Sequence, residues 1–317
     1  MKKKRQFIRG VWELVKETFK GFSDDKVPKL SGSLAYFTVF SMGPLLVVII
    51  SLCGLFFARE AVEGRIYSVL RDFVGQDTAA QLQEIIRNAS IGNKSTVAAV
   101  VGTVTLLLGA TGVFGEIQDS INKIWGLKPK PKKGWLKMLK NRILSFSVIV
   151  SLGFLLLVSL AITGIIEAIN TRLQARFPEV ALVVFYIINL IITGAISMLI
   201  FAVIFKVLPD AKIKWRDVMA GSLVTAVLFL IGKFAISFYI SQTKIGSTYG
   251  AAGSLAVILV WIYYSSTILY LGAEFTKAYA VRVGEPIIPN DYAVTTKEIE
   301  VESKGPVSSR KKRTIEN

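Results

Sequence analysis

The sequence predicts an all-α, polytopic membrane protein: six transmembrane helices with interfacial amphipathic helices. Three observations predict it. Apolar residues make up 52% of the chain and come in long blocks, not in the short periodic sets of a soluble core. Lysine and arginine alternate between dense and sparse in the connections that separate those blocks. The mean hydropathy is +0.54 although the net charge is +16, so charge and apolar surface occupy different stretches. The organisation that follows is a basic amphipathic arm (1–30), a six-helix transmembrane domain (31–283) and a disordered cytoplasmic tail (284–317).

The arm reads as one helix. Phe7, Val11, Val15 and Phe22 fall near one face with Ile8, Trp12 and Phe19 beside it, while Glu13, Lys16 and Lys20 lie elsewhere. Such a helix suits an anionic membrane surface. It equally suits packing on the bundle. No apolar stretch of signal-peptide length follows Met1–Arg5 directly, so a cleavable signal is not expected.

The first span is expected over roughly Ser33 to Phe57. Gly43 and Pro44 fall near its middle, and a proline there removes a backbone donor and kinks the helix. The kink serves either packing or a cavity. Arg59 to Lys94 is too polar to span and reads as two amphipathic helices parted near Gly75. The second span, Ser95 to Gly115, carries Gly102, Gly109, Gly112 and Gly115, which would admit a close neighbour. A stiff, basic loop follows over Gly126 to Gly134.

The third span covers Ile143 to Ile166 and the fourth Val180 to Phe205. On the fourth, Asn189, Thr193 and Ser197 recur every four residues, a polar stripe expected to face protein or water. Val207 to Asp217 is a basic, proline-broken membrane-edge loop feeding the fifth span, Val218 to Ile240, whose one charge is Lys233. The sixth runs from Ala251 to Ala273, with Tyr263, Ser266, Thr267, Tyr270 and Glu274 on one face.

Residues 1–32, 116–142, 206–217 and 274–317 carry 9, 8, 4 and 8 basic residues, whereas the other connections carry 5, 2 and 1. The alternation predicts both termini in the cytoplasm. Cysteines placed at Asp77 or Gln174 should then be labelled from outside intact cells, and cysteines at Lys132 or Ser308 should not. Labelling at Lys132 would reverse the orientation.

The motifs resemble those of the YihY/BrkB family of bacterial inner-membrane proteins. The matching stretches are Ala35-Tyr36-Phe37 through Ser41-Met42-Gly43-Pro44, and Gly112 to Gln118 through Ile121 to Gly126. Leu208-Pro209-Asp210-Ala211 with Trp215-Arg216-Asp217 matches too, as does Tyr249 to Gly253 through Trp261 and on to Leu271-Gly272-Ala273-Glu274. The resemblance covers about Ser31 to Ala280. It implies six spanning helices and an inner-membrane address, and it does not imply one activity. The family once carried the label ribonuclease BN, and its members have been linked to serum resistance and to envelope lipid export.

Three functions compete: a transporter or lipid translocator, an envelope scaffold without transport, and a membrane-bound ribonuclease. The first is preferred and no enzyme activity is expected. The chain has no histidine, its acids are scattered over loops, and no Gly-Lys-Ser/Thr phosphate loop occurs. No metal or other cofactor is expected. The expected partners are membrane lipids, with anionic headgroups at the cytoplasmic face. Nucleic acid is not expected, because no stacking aromatics interleave the loop lysines. A homo-oligomer is left open.

The candidate cavity residues are Lys233, Asn189, Tyr263, Tyr36, Glu116 and Glu274. A lysine near a helix centre costs about 2.5–3.5 kcal/mol on insertion scales and normally faces the bundle or a wet cavity. Lys233, with Asn189 and Tyr263 nearby, would then receive an anionic group such as a lipid phosphate. The alternative is that it bonds backbone carbonyls or a glutamate and fixes packing.

Overall fold

The computed structural model describes residues 2–53, 112–129, 178–242 and 251–296, together with positions 64, 67 and 83. The expected amphipathic pair over 59–94, most of the second span, the third span, the end of the basic loop and the tail beyond 296 lie outside the described residues.

Helix α1 is Lys2–Asp24 and α2 is Val27–Cys53. The turn between them places Lys26 at φ 54, with Asp25 N–H donating to the Gly21 carbonyl. Pro28 sits in the first turn of α2, where its missing N–H removes no helical bond. The 27 residues of α2 reach about 40 Å at 1.5 Å per residue. Its helical backbone continues through Gly43 and Pro44. It begins already at Val27 and not at Ser33, because Val27, Ser31 and Leu34 are buried in the bundle.

Residues 112–124 form helix α3, which ends at Gly126 with φ 66, the left-handed conformation that glycine adopts without strain. Strand β1, Leu127–Pro129, opens the stretch where a stiff, basic loop was expected. Helix α4 is Pro178–Val207, with Pro178 at its first position and Lys206 in its last turn. Pro209 follows and cannot extend it. After strand β2, Ala211–Lys212, helix α5 covers Trp215–Gln242 with Asp217 in its first turn. Helix α6 is Ala251–Arg282, and strands β3, Ile288–Pro289, and β4, Ala293–Thr295, complete the described chain.

Within these helices, Tyr186–Val207, Trp215–Ile236 and Ala256–Arg282 are long and apolar enough to cross a bilayer. The outward face of α5 shows why a bilayer suits it. Met219, Leu223, Val227, Ile231, Phe234 and Phe238 recur every three or four residues and are all exposed. In water that stripe would be a large exposed apolar patch; in hydrocarbon it is solvated.

α5 and α6 lock together through reciprocal glycine and threonine contacts. A Cβ at Gly221 would stand 1.8 Å from Thr276 Oγ1, and one at Gly272 would stand 1.9 Å from Thr225 Oγ1. Each threonine hydroxyl donates 2.7 Å to the carbonyl four residues back, Gly272 for Thr276 and Gly221 for Thr225. The hydroxyls are thus satisfied within their own helices, and the glycines opposite leave them room. Gly232 likewise receives the Tyr264 ring edge and hydroxyl. Of the glycines of the second span, Gly102 and Gly109 lie outside the described residues; among the described residues, a Cβ at Gly112 would lie an ordinary 3.9 Å from Phe37 and one at Gly115 would meet nothing within 4 Å.

The tail boundary at 284 also needs correction. β4 pairs antiparallel with β1 and β3 with β2, so residues through Thr296 are ordered. Short strands form because the loops after α3 and α4 offer backbone groups that need partners. Thr296 N–H donates 2.7 Å to the Gly126 carbonyl and Asn290 N–H donates 2.9 Å to the Asp210 carbonyl. The best-buried apolar residues gather at this end: Ile121, Ile124, Phe205, Leu208, Val218 and Tyr270.

Candidate functional site

Two features stand out, one holding the end of the bundle where the short strands lie and one lying between the helices. At the loop end, Asp210 is 1% exposed. It follows Leu208-Pro209, which turns the chain out of α4 and aims the carboxylate at α3. Gln118 Nε2 donates to Asp210 Oδ1 at 3.0 Å and Asn122 Nδ2 donates to Oδ2 at 3.1 Å. The Asn122 side-chain oxygen accepts the Asp210 N–H at 2.8 Å. Residues 118 and 122 are one helical turn apart, so one face of α3 supplies both amides. Tyr292 of the tail lies close to Asp210, and burial, then that carboxylate, pushes its phenol up, which keeps it neutral.

Beside this network α6 meets α1. Glu274 is buried against Gly21, where a Cβ would come within 2.4 Å of its carboxylate. Lys277 Nζ lies 3.4 Å from Asp25 and 3.9 Å from Glu274, and donates to the Ile124 carbonyl. Arg282 pairs with Glu17 at 2.8 Å and with Glu13. These partners explain why α6 continues past Ala273, the expected end of the sixth span, to Arg282. They also decide how α1 sits. Leu14 and Thr18 are buried on the bundle, whereas Trp12 is 69% and Phe19 59% exposed. The arm packs on α6 with one face and turns an aromatic face outward.

Between α2, α4, α5 and α6 lies a cavity of about 400 Å³. Its walls are Leu34, Ile200, Phe201, Phe229, Trp261, Ile262 and Leu269, and its polar groups are the hydroxyls of Thr38, Ser197, Ser265 and Ser266. Phe201, Phe229 and Trp261 form a ring chain, with centroids 5.8 and 6.2 Å apart in T-shaped and tilted contact. The Ser266 hydroxyl donates to the Ile262 carbonyl at 2.7 Å.

The six residues singled out from sequence do not line this cavity. Lys233 is half-buried on α5, one turn beyond the lining Phe229. Asn189 is exposed and accepts from Thr193 at 3.3 Å, so the polar stripe of α4 enters protein only at Ser197. Tyr263 is 41% exposed, next to the lining Ile262. Tyr36 is 59% exposed, in ring contact with Phe37 and Phe40. Glu116 is half-buried on α3 near Tyr270, and Glu274 belongs to the α1 contact. Sequence reasoning did flag Ser197 and Ser266 through their stripes. Thr38 and Ser265 carried no signal, since isolated hydroxyls are common in apolar helices.

The sequence profile described as "Virulence factor BrkB" matches residues 18–291, which includes α2, the Asp210 network and the cavity. The chain belongs to the BrkB virulence-factor family. A "UPF0761 membrane protein" of Ralstonia nicotianae is 27% identical over 265 residues, covering 81% of this chain and 56% of its own length. One of Vibrio vulnificus is 28% identical over 267 residues, covering 81% of this chain and 79% of its own. One of Tolumonas auensis is 28% identical over 268 residues, covering 80% of each. The chain thus spans little more than half of the Ralstonia relative. No solved structure matches the chain. Family membership and the apolar helices together make this an integral membrane protein of the BrkB/UPF0761 family.

Proposed function

We propose that this protein is an inner-membrane translocator of a lipid or lipid-like envelope component, with both termini in the cytoplasm. The observation that carries the reading is the cavity between α2, α4, α5 and α6. Its volume of about 400 Å³ is in the range of ligand sites, and its walls are apolar and aromatic with a few placed hydroxyls. Three of its four walls come from helices able to cross the bilayer. A hydrocarbon chain leaving the leaflet therefore exchanges one apolar environment for another, and only its polar part asks for new partners. The basic cytoplasmic connections and the exposed Trp12 and Phe19 of α1 suit contact with anionic headgroups. No bond is made or broken in this reading.

A scaffold without transport is favoured by one observation, the tail strands that bind together the loops after α3 and α4. Vesicles separate the two. The purified protein in liposomes is expected to speed the exchange of a fluorescent-chain lipid between leaflets, read by a quencher added outside. A Ser197→Leu/Ser265→Leu variant, which fills the cavity, should return the rate to that of empty vesicles. Equal rates with and without the wild-type protein would leave the scaffold.

A further inference from the structure

We propose that the polar part of the lipid held in this cavity is uncharged, a hydroxyl- or ester-bearing head of the diacylglycerol type. The inference rests on the translocator reading and adds the class of cargo. Among the described residues, the cavity lining offers four hydroxyls, from Thr38 on α2, Ser197 on α4, and Ser265 and Ser266 on α6, and no charged side chain.

Depth supports this. Ser197 lies ten residues before Val207 on α4, roughly 15 Å from that helix end at 1.5 Å per residue. Phe229 lies fourteen residues into α5 from Trp215, roughly 21 Å at 1.5 Å per residue. The hydroxyls therefore sit well inside the span, where a polar group in plain hydrocarbon has no partner. The Ser266 hydroxyl already donates to the Ile262 carbonyl and offers a ligand only its lone pairs, while a hydroxyl not so engaged can donate or accept, so the set suits alcohol and ester groups. It does not neutralise a phosphate. A full charge in so apolar a chamber needs a counter-charge in contact with it. The nearby cations among the described residues are placed otherwise. Lys206 donates to the Ile213 carbonyl and stands 5.5 Å over the Trp215 ring. Lys277 is held by Asp25 and the Ile124 carbonyl. Lys233 lies beyond Phe229, outside the lining.

The test uses the full chain in phosphatidylcholine nanodiscs. Photoreactive diacylglycerol and photoreactive phosphatidylglycerol with the same chains differ in head charge, and mass spectrometry locates the label. Diacylglycerol is expected to label the α6 segment around Ser265 at least tenfold more than phosphatidylglycerol, a comparison that needs no variant. Thr38→Val, Ser197→Ala and Ser265→Ala should each weaken competition by unlabelled diacylglycerol about two- to tenfold, the value of one net hydrogen bond. Lys233→Met should leave the preference unchanged. Equal or stronger labelling by phosphatidylglycerol, or loss of labelling in Lys233→Met, would overturn the inference. So would no cavity label from either probe. Cavity labelling by diacylglycerol without leaflet exchange in vesicles would sink the translocator reading alone.

Discussion

Asp210→Ala is expected to strip the protein from the membrane fraction. The substitution removes the acceptor of two buried side-chain amides, Gln118 Nε2 at 3.0 Å and Asn122 Nδ2 at 3.1 Å. A buried donor left unpaired costs about 1–3 kcal/mol, so the pair costs roughly 2–6 kcal/mol. Whole domains are stable by only about 5–15 kcal/mol, and a loss of this size exposes the chain to proteolysis. The backbone bonds at Asp210 survive the change, because they use its N–H and carbonyl. Asp210→Asn keeps one acceptor oxygen and turns the other into a donor facing a donor, so about half the loss is expected. Membrane abundance and the melting temperature in detergent should both fall in the order wild type, Asn, Ala. An alanine variant as abundant and as heat-resistant as the wild type would remove the network from the account.

The second large effect is expected at the α5–α6 contact. Gly221→Ala places a Cβ 1.8 Å from Thr276 Oγ1, and Gly272→Ala places one 1.9 Å from Thr225 Oγ1. Neither threonine escapes by rotation alone, since its Cβ would also lie within 2.8 or 2.9 Å. The helices must separate, and overpacking of this kind costs about 1–3 kcal/mol, occasionally more. Because Thr225 and Gly221 share one turn with Thr276 and Gly272 opposite, both contacts loosen when either is forced apart. Separation here also displaces Phe229 and Trp261, which wall the cavity from these two helices. Each single variant should lower the melting temperature and slow lipid exchange. Gly221→Ala combined with Thr276→Gly should recover part of both, because the second change vacates the space the first invades. A Gly221→Ala protein indistinguishable from the wild type would show that the helices are not so closely seated.

Much of the fold was legible because long apolar runs leave few alternatives. α4 and α6 begin within two residues of the expected Val180 and Ala251. Their other ends were less legible, for a physical reason. Hydropathy marks where a segment stops being apolar, whereas a helix stops where its backbone and side chains lose partners. Glu274, Lys277 and Arg282 look like the end of a span, yet Gly21, Asp25, Ile124, Glu13 and Glu17 keep α6 helical past them. The tail strands were hidden in the same way, since a polar segment with no periodicity reads as disorder until its partner strands are known.

The site was legible only in part. Depth along a helix can be counted from sequence, and it selected Lys233 and Asn189. Which neighbour a helix face meets cannot be counted. At about 100° per residue Ser222 and Ala226 fall near the angle of Lys233 on α5, yet they are buried while Lys233 itself is half-exposed. Gln118, Asn122 and Asp210 all lay in the motifs that suggested the family, but nothing local says that residues 88 and 92 positions apart share hydrogen bonds. The cavity hydroxyls belong to three helices and carry no spacing of their own.

A density map of the protein in native-lipid nanodiscs tests the central claim most directly. The account predicts elongated, chain-like density in the cavity, running along Phe201, Phe229 and Trp261, with its wider polar end within hydrogen-bond reach of Thr38, Ser197 or Ser265. A cavity closed by its own side chains, with every lipid density on the outer surface, would contradict it.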